Sequence, residues 1–541
     1  MPLVEVSGVN PSYFVYSLFV ILVTPLLVVL HDFLIWRRLP PGPTPLPFIG
    51  NKHQIQRSRP WIQFEEWSHK YGPIFTIWIG RQPQLVVNDA EIASELLEKR
   101  SAIFSTRPRM VVLSEIFWND AGLIVSPYNK RLVLRRKLLH QALTSKALDS
   151  YKTGQTAEAS RLCGNLLRRP EDWEKLFEWF VASSTFCIAY GHRIDSLDAN
   201  VVRVKVALMK YVGSLNVPGK YFAETFPILK YMPDFLAPWK REIKENGKRF
   251  IEANVQLLET VAKELAQKDV SPSLSRHIIE LRDSQPDLPI SPAAFAMIPA
   301  ALFGAGTDTT ASTLCSFLLA LVTHPSVQRT AQAELDAVVG PSRSPTFADY
   351  PALPYTRALI HEVLRWRPVS VLGGIPHAST APTSFGPWHI PRGTPVIGNL
   401  WAINSNATYY PDPQRFDPTR FLPETMELRR ADDPKMRAEL GKRHPSTAYG
   451  HASFGWGRRV CPGAELALNT LFIAVAKVLW GFNILPREGQ SYDIMAYTEG
   501  FNIRPRRFEC DVKVRSERHR EVLMAEEQEA WNVLQRFPAF E

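Results

Sequence analysis

The chain has 541 residues, 45% of them hydrophobic and 21% charged, which indicates a globular protein with a sizeable core. The net charge is +10, but no basic stripe is interleaved with aromatic residues, so we expect no nucleic-acid partner and favour a basic docking face. The five cysteines are scattered without pairs at metal-ligand spacing, which is typical of a reducing compartment without structural disulfides.

An apolar run near the start predicts a membrane anchor. Residues 13–30 carry no charge, and with the extension to Trp36 the run reaches the roughly 20 residues that a membrane-spanning helix needs. A cleaved signal peptide is the alternative, but no Lys or Arg precedes Arg37 to form its basic start. Because Arg37 and Arg38 follow the run, the positive-inside rule places the rest of the chain in the cytoplasm. We therefore assign residues 1–38 to the anchor.

Three further parts follow the anchor. Residues 39–50 are rich in proline, which cannot continue a helix, and they form a semi-rigid hinge. Residues 51–512 contain the predicted core elements and form the main domain. Residues 513–541 are a charged extension with a helical pattern, to which the sequence assigns no function.

The first half of the main domain is predicted to begin with a small β segment and to continue as mostly helical structure. The expected elements are a strand pair over 74–87, a helix over 91–99, an irregular apolar stretch over 110–124, a basic helix over 130–143 and a largely helical region over 151–281. The basic helix has two interpretations. Its basic side chains are either simply solvated, or they steer an acidic partner to a docking face formed by Lys130, Arg131, Arg135 and Lys137.

A long apolar helix is predicted over 292–322, and at about 1.5 Å per residue it spans about 45 Å. It contains the polar sequence from Ala305 to Thr310, which includes Asp308 and Thr309. Polar groups in a buried helix need partners, so the presence of these residues needs either a structural or a chemical explanation. The structural alternative is a helix kink in which Thr310 bonds a backbone carbonyl.

The region after the long helix contains shorter elements. Glu362 and Arg365 lie on a helix predicted over 355–366, where a pair three residues apart is a weak signal by itself. An apolar strand over 369–374 is expected to line a pocket, and a strand pair within 389–403 is expected to lead into a short helix.

The sequence from Phe454 to Gly463, Phe-Gly-Trp-Gly-Arg-Arg-Val-Cys-Pro-Gly, predicts a metal-binding cysteine loop. Cys461 precedes a helix predicted over 464–480, and a helix N-terminus favours the thiolate, the form of cysteine that binds metals. The glycines would let a flat macrocycle approach the backbone, and Arg459 could meet a carboxylate on it. The alternative is a buried free cysteine in a turn.

This loop resembles the haem-binding loop of the cytochromes P-450, Phe-x-x-Gly-x-Arg-x-Cys-x-Gly, at Phe454, Gly457, Arg459, Cys461 and Gly463. The resemblance covers most of the chain, and its motifs occur in the family's order. It implies haem b as cofactor, with Cys461 as the axial thiolate that pushes electron density toward O–O cleavage.

The same resemblance assigns roles on the long apolar helix and on the basic helix. It implies that Asp308 and Thr309 relay the protons that O–O cleavage consumes, and that Gly306 leaves room above the iron. It places Arg136 against a haem propionate, although Leu132 stands where the family carries a tryptophan.

The remaining family positions lie after the long helix. His377 corresponds to a family position near a haem propionate, with a surface turn histidine as the alternative. Glu362, Arg365 and Arg420 are expected to form a buried triad, because a carboxylate between two guanidinium groups is satisfied on all sides. This triad would support the fold and the cysteine loop rather than the chemistry. Residues 496–501 resemble the family's last loop into the pocket.

For the whole protein, the resemblance implies a monooxygenase whose fold is mainly α with a small β-rich lobe, preceded by one transmembrane helix. One atom of O2 would enter a C–H bond of a hydrophobic small molecule, such as a fungal polyketide, terpenoid or indole. Electrons would come from NADPH through NADPH-cytochrome P-450 reductase, with cytochrome b5 as a further donor. The catalytic domain would face the cytoplasm from the endoplasmic reticulum membrane.

Two other functions stay open at this point. One is a haem-thiolate isomerase or dehydratase that does not use O2, against which the presence of both Asp308 and Thr309 argues. The other is a membrane-anchored haem-binding protein without enzymatic activity. NADPH consumption coupled to product formation would separate the monooxygenase from both.

Overall fold

The computed structural model describes residues 11–196, 211–215, 220–267, 271–430, 434–446 and 448–540. The α-helices among them are Pro11–Trp36, Pro60–Tyr71, Ala90–Ala93, Ser101–Phe104, Lys130–Gln141, Ser145–Arg168, Trp173–Tyr190, Phe222–Thr225, Pro238–Gln267, Leu274–Ser284, Pro292–Thr323, Pro325–Val338, Pro354–Trp366, Leu400–Asn404, Pro423–Arg430, Pro434–Leu440, Ala464–Gly481 and Glu517–Leu534. Two π-helical segments are Ser94–Lys99 and Val111–Phe117. The 3-10 turns are Pro170–Asp172, Pro227–Tyr231, Phe347–Ala352, Pro418–Phe421 and Gly457–Arg459.

Short strands form three small sheets in the described part of the chain. The strands are β1 (Ile74–Ile79), β2 (Gln82–Val87), β3 (His377–Ala378), β4 (Thr383–Phe385), β5 (Trp388–Ile390), β6 (Pro395–Gly398), β7 (Phe482–Pro486) and β8 (Cys510–Val514). One sheet has the spatial order β1-β2-β6-β3, while β4 pairs with β5 and β7 pairs with β8. The fold is therefore mainly α with a small β-rich lobe, which confirms the predicted fold class.

Two strand predictions were wrong in detail. The strands β5 and β6 do not pair with each other: β5 forms a hairpin with β4, and β6 lies parallel to β2. The reason is the tight turn at Gly386, which has a left-handed φ of 55° and closes the β4–β5 hairpin before the predicted pair begins. Residues 369–374 form bends and turns rather than a strand, and Gly373 and Gly374 both have positive φ there.

Two helices form the centre of the core. We call Pro292–Thr323 the central helix and Ala464–Gly481 the cysteine helix. In each, apolar residues occur around most of the helix rather than on one face, which is the pattern of a buried helix. Both are long and apolar enough to cross a membrane, but 72% and 83% of their apolar windows are buried inside the protein. The central helix packs along the helix Trp173–Tyr190, which we call the neighbour helix.

The predicted anchor is helical over Pro11–Trp36, and its 14 residues from Val23 onward form an apolar helix. At its end, Asp32 accepts two hydrogen bonds from Arg81, at 2.8 and 2.9 Å. The proline-rich hinge packs against the sheet, because a Cβ at Gly42 would overlap the Thr76 carbonyl group. The exposed apolar side chains of the helix include Leu26, Leu27, Leu30, Phe33 and Leu34.

A buried carboxylate in the core makes the stability of the fold pH-dependent. Glu158, on the helix Ser145–Arg168, is fully buried and accepts a hydrogen bond from Ser183 at 2.8 Å. Burial raises the pKa of Glu158 to about 7, against the smaller opposing effect of Arg161. The folded state therefore binds more protons than the unfolded state between the ordinary carboxyl pKa and pH 7. Stability should fall as pH rises through this window and stay lower above it.

We expect the free energy of unfolding to fall by as much as about 3 kcal/mol from this group between pH 4.5 and 7.5. Replacing Glu158 with Gln keeps an acceptor for Ser183 and removes the titration, so the pH slope of the unfolding temperature should become shallower. Thermal unfolding from pH 5 to 8 measures this, with Glu259→Gln on an exposed helix face as the control. Equal slopes in the wild type and Glu158→Gln would contradict the assignment.

Candidate active site

The cysteine loop closes on itself immediately before the cysteine helix. The backbone N–H of Cys461 donates to the carbonyl oxygen of Phe454 at 2.8 Å, so the two ends of the predicted motif meet. The Phe454 ring packs against Tyr449, with ring centroids 4.8 Å apart. The helix begins at Ala464, with Gly463 as its N-cap. The sulfur is therefore presented just before the positive end of a helix.

Cys461 is exposed to solvent as a residue, even though many protein atoms lie around its side chain. Burial raises the pKa of the thiol, while the backbone N–H of Gly463 and the Arg136 guanidinium act in the opposite direction. An accessible sulfur with strong desolvation is expected when a residue faces an enclosed space. Within the described residues no group of three His, Cys, Asp or Glu side chains could hold a metal ion, so the sulfur is not part of a multi-residue protein cage.

Of the three glycines in the loop, Gly457 and Gly463 are needed for different physical reasons. Gly457 has a left-handed φ of 53°, and a Cβ there would overlap the Leu97 carbonyl oxygen. Its backbone therefore packs against protein, which corrects the expectation that this glycine makes room for a macrocycle. A Cβ at Gly463 would meet nothing within 4 Å. Open space next to Gly463 is what a flat ligand beside the sulfur requires.

Three arginines gather beside the loop without an acidic partner. Arg136 donates to the Val460 carbonyl oxygen at 2.9 Å, and Arg459 donates to the Ser105 carbonyl oxygen at 2.7 Å. Arg107 was missed by the sequence analysis. Burial, with a smaller contribution from the nearby Arg459 and Arg136, lowers the pKa of Arg107 to about 9. No carboxylate among the described residues forms an ion pair with any of the three.

The Nε atom of Arg107 is buried without a hydrogen-bond partner in the described structure. Burial lowers the pKa of Arg459 to about 10, with Arg136 adding to the effect. Buried charges are normally paired, because an uncompensated one is costly. A buried to half-buried cationic cluster with an unpartnered buried donor atom therefore indicates a site for an anion.

His377 lies beside the same cluster. It is buried, and its Nδ1 lies 2.7 Å from the Phe104 carbonyl oxygen. Burial lowers the pKa of His377 to about 3, with Arg107 and Arg459 contributing. The surface-turn alternative is wrong for this histidine, since only 5% of it is exposed.

One residue of the predicted basic docking face is misplaced. Arg135 is buried and donates to the Ala121 carbonyl oxygen at 2.8 Å and to Ser126. Lys130, Arg131 and Lys137 remain exposed on the same helix. Leu132, which stands at the position of the family's tryptophan, is buried in the core.

Glu362, Arg365 and Arg420 meet in the interior. The Arg365 guanidinium donates to both carboxylate oxygens of Glu362, at 2.6 and 2.7 Å, and both residues are fully buried. The Nε atom of Arg420 lies 3.6 Å from the same carboxylate. Glu362 also accepts the backbone N–H of Asp417 at 2.8 Å. The carboxylate is thus enclosed by donors on several sides.

The cluster of Glu362 and its arginines is connected to the cysteine loop through Asn404. Arg365 donates to the Asn404 carbonyl oxygen at 2.9 Å. The Asn404 side chain accepts the backbone N–H of Ala452 at 3.1 Å and donates to Ser453 at 2.9 Å. These two residues directly precede Phe454, so the ion cluster holds the start of the loop.

The central helix has an open face in its middle. Ala305 and Asp308 are exposed, although the residues on both sides of this segment are buried. The Thr309 hydroxyl donates to the Ala305 carbonyl oxygen at 2.8 Å. Gly306 does not provide the expected room on this open face. A Cβ there would lie 3.1 Å from Thr185 on the neighbour helix, so this glycine allows close helix packing.

Asp308 is held by a residue that the sequence analysis did not identify. Its carboxylate accepts a hydrogen bond from the Asn502 side chain at 2.7 Å. Asn502 in turn accepts one from Ser370, also at 2.7 Å. Among the described contacts no hydrogen bond joins Asp308 to Thr309. Asn502 directly follows the predicted pocket loop, and only its position next to that loop could have suggested it.

The described geometry combines, in a mainly helical protein, a loop cysteine before a helix start and a long buried helix with exposed polar residues in its middle, and this combination fits a haem-thiolate protein. The sequence model named Cytochrome P450 matches residues 40–512 of the chain. The chain belongs to the cytochrome P450 family.

Curated relatives cover nearly the whole chain. Cytochrome P450 monooxygenase 58 of Postia placenta is 36% identical over 88% of this chain and 89% of its own length. Cytochrome P450 monooxygenase COX2 of Coprinopsis cinerea is 33% identical over 89% and 90%. Cytochrome P450 monooxygenase polD of Polytolypa hystricis is 31% identical over 90% and 92%. The protein is thus a P450 monooxygenase, similar to fungal members of the family.

Members of this family contain a haem iron with a cysteine thiolate ligand, take electrons from a redox partner and act on hydrophobic substrates. The residues present fit such a group, because an exposed cysteine, open space at Gly463 and a guanidinium cluster without a carboxylate partner occur together. Cys461 would bind the iron. Arg107, Arg136 and Arg459 would compensate the two propionate carboxylates, with His377 beside them.

The role of Arg107 can be tested by opposite effects on two forms of the protein. Arg107→Met removes a buried charge that no carboxylate compensates, so the haem-free protein should be as stable as the wild type or more stable. The same change should speed haem loss about tenfold, which corresponds to about 1.4 kcal/mol. Transfer of haem to an excess of apomyoglobin measures the loss rate.

The matched control for that test is Arg109→Met. Arg109 lies two positions after Arg107, but it is exposed and pairs with Glu115. It should leave the rate of haem loss unchanged. An unchanged rate in Arg107→Met would remove Arg107 from the haem site.

Proposed function

We propose that the chain is a membrane-anchored monooxygenase of a hydrophobic small molecule, with Cys461 as the thiolate ligand of haem b. The observation that carries this proposal is the cluster of half-buried Arg107 and Arg136 with buried Arg459, which lies beside the Cys461 loop and has no carboxylate partner among the described residues. A dicarboxylate macrocycle explains both the charge and its position next to an accessible sulfur. The bound haem would supply the iron chemistry that divides O2 between the product and water.

Asp308 and Thr309 are proposed to supply protons. O–O cleavage that releases water consumes protons, so a pocket that excludes bulk water needs a relay. The Thr309 hydroxyl keeps acceptor capacity while it donates to Ala305, and Asn502 holds the Asp308 carboxylate in place. The exposure of this helix face supports access to both groups from the site.

The substrate is proposed to be apolar. One hydrophobic cluster joins the stretch after Met110, the first half of the central helix and the loop residue Phe501. Side chains of this kind favour an apolar ligand next to them, since few polar groups are available to pair with a polar one. The fungal origin of the relatives supports a secondary metabolite such as a polyketide, terpenoid or indole. The buried members of the cluster include Val111, Val112, Leu113, Phe117, Met297, Ala300 and Ile375.

The membrane and the redox partner are proposed from two surfaces. The apolar helix from Val23 onward supports a single N-terminal span in the endoplasmic reticulum membrane. A second apolar surface supports membrane contact by the domain, and its exposed residues include Phe48, Ile49, Phe222, Ile228 and Phe235. The exposed basic residues Lys130, Arg131 and Lys137 support docking of an acidic donor, NADPH-cytochrome P-450 reductase or cytochrome b5.

The function is tested by expression of the full chain with a reductase in a host fed candidate terpenoids, indoles and polyketides. We expect a product whose mass is increased by one oxygen atom, and this increase should depend on NADPH and O2. Cells that express Cys461→Ser with the same reductase are the control. Turnover without NADPH or O2 would indicate the isomerase or dehydratase instead. Haem binding without any product from a broad set would favour the non-enzymatic alternative.

Thr309→Ala tests the proton relay. We expect product formed per NADPH to fall at least about fivefold and peroxide to rise, because protons no longer reach the site in time. Peroxide and NADPH are measured in the same reaction. Thr307→Ala is the matched control, since Thr307 makes the same type of bond to the Phe303 carbonyl oxygen, at 2.7 Å. Unchanged coupling in Thr309→Ala would exclude Thr309 from the relay.

A further inference from the structure

We infer that the final segment of the chain is a strap that ties together the two helices of the candidate site and sets their relative position. The strap is defined as residues 515–540, which contain the helix Glu517–Leu534. It continues directly from β8, a strand that crosses the predicted boundary at 512/513. The inference rests on the proposed assignment of the central helix and the cysteine helix to the haem site.

The first attachment of the strap is a buried ion pair with the cysteine helix. Lys477 on that helix is only 1% exposed, and its ammonium group lies 2.8 Å from the carboxylate of Glu526. Ser344 donates its backbone N–H to the same carboxylate at 2.8 Å, and its hydroxyl contacts both charged groups. Glu526 is the only described carboxylate that pairs with Lys477. Without the strap, the cysteine helix would therefore contain an uncompensated buried cation.

The middle of the strap lies tightly against the helix Ser145–Arg168. A Cβ at Gly164 would overlap the Glu527 carboxylate, which shows how closely the two helices approach. Arg161 is stacked between two tryptophans, with its guanidinium 4.6 Å from the Trp179 ring centre and 4.2 Å from that of Trp531. The strap is thus docked along its length rather than only at its ends.

The second attachment reaches the central helix through a chain of aromatic rings. Phe540 of the strap packs edge-on against Phe186 of the neighbour helix, with ring centroids 5.4 Å apart. Phe186 packs in the same way against Phe303 of the central helix, at 5.3 Å. The backbone N–H of Phe540 donates to the Arg193 carbonyl oxygen at 3.0 Å, which fixes the end of the strap.

This ring contact lies one helical turn from the proposed oxygen side of the site. The carbonyl oxygen of Phe303 accepts a hydrogen bond from the Thr307 hydroxyl. Thr185, which precedes Phe186 on the neighbour helix, lies against Gly306 of the central helix. Phe540 therefore supports the contact between the neighbour helix and the central helix where the central helix carries Asp308 and Thr309. We assign Phe540 and Glu526 as positioning residues, since neither touches the proposed site itself.

Hydrogen–deuterium exchange of the full-length holoprotein tests this inference without requiring turnover. In Phe540→Ala, amide exchange over residues 300–310 should increase about tenfold, because the helix pair loses its outer support. The matched control is Phe537→Ala, which removes a strap phenylalanine that packs near Gly154 instead. That variant should leave the 300–310 exchange as in the wild type. Unchanged exchange in Phe540→Ala, or an equal increase in both variants, would overturn the inference.

The ion pair is tested in the same way by Glu526→Leu. Exchange at the end of the cysteine helix should increase, and the double variant Lys477→Met with Glu526→Leu should return toward the wild type, because no buried charge is left unpaired. If amide exchange in the double variant is as fast as in Glu526→Leu, the proposed role of the Lys477–Glu526 ion pair is overturned.

A functional readout separates positioning from simple stabilisation. The peroxide released per NADPH should rise in Phe540→Ala and stay constant in Phe537→Ala, because only the first change reaches the helix that carries Thr309. Haem content, measured by absorption in the same samples, tests the proposed function independently. A protein without haem that still shows the predicted exchange pattern would keep the strap and reject the proposed function.

Discussion

Replacing Cys461 with serine is expected to abolish the reduced-CO absorption band that is typical of a haem-thiolate protein, together with all oxygenation. The physical reason is that a serine hydroxyl is a far weaker acid than a thiol and does not give the soft anionic ligand that the iron requires. The substitution roughly keeps the size of the side chain. It also keeps the backbone hydrogen bond from the N–H of residue 461 to the Phe454 carbonyl oxygen, so the loop should retain its shape. Difference spectra of the reduced protein with and without CO measure the band.

Two controls make this result specific. Cys315→Ala removes another free cysteine, one that is buried in the central helix, and should keep the band. Circular dichroism of Cys461→Ser should match that of the wild type, which shows that the loss is not caused by unfolding. A surviving thiolate-type band in Cys461→Ser would mean that another cysteine binds the iron.

The parts of the site that could be predicted from sequence are those whose residues are close together in the chain. All positions of the cysteine motif, from Phe454 to Gly463, lie in one short loop that ends where the cysteine helix begins. The open part of the central helix is similar, because Asp308 and Thr309 stand out as polar residues inside an apolar run. In both cases the spacing along the chain is also the spacing in space.

The residues that were missed act across long sequence separations. Arg107 donates to the carbonyl oxygen of Ile375, which is 268 residues away. Asn502 meets Asp308 across 194 residues. A lone arginine or asparagine in a loop has no periodic signal, and only the tertiary fold shows that Arg107 lacks an acidic partner. Its charge becomes informative once its surroundings are known.

The predictions that Gly457 and Gly306 leave room for the haem were wrong for the same reason, because the neighbours of a glycine are distant in the chain. The sequence shows where a side chain is missing but not which neighbour uses the space. Position 457 needs glycine because its backbone is left-handed and because a Cβ would overlap the Leu97 carbonyl oxygen. Position 306 has glycine because Thr185 of the neighbour helix packs closely against it. Of these three glycines, Gly463 faces open space. The basic helix gives a parallel case for charge, since Arg135 was expected on the surface but bonds Ala121 in the interior.

The second large effect is expected from Arg365→Met. This change leaves Glu362 fully buried, with Arg420 at 3.6 Å as its nearest remaining cation. Removing one partner of a buried ion pair costs about 3–5 kcal/mol, a large part of the about 5–15 kcal/mol that stabilises a typical domain. We expect little folded holoprotein, and an unfolding temperature well below that of the wild type in any that is recovered.

A matched control separates burial from pairing. Arg518 and Glu521 form an Arg–Glu pair with the same three-residue spacing on an exposed helix face. Arg518→Met should cost less than about 1 kcal/mol, because solvent already screens an exposed pair. Equal effects of Arg518→Met and Arg365→Met on the unfolding temperature would show that burial is not what makes the interior pair important.

The double variant Glu362→Leu with Arg365→Met tests why the single change is costly. It removes the unpaired carboxylate and should recover part of the lost stability, since a buried pair can be replaced by apolar groups at small cost. Recovery should be incomplete because the Asn404 carbonyl oxygen loses its donor, and Asn404 holds Ala452 and Ser453 before the cysteine loop. The recovered protein should therefore still lose haem faster than the wild type. A double variant with wild-type haem retention would show that the cysteine loop forms independently of this ion cluster.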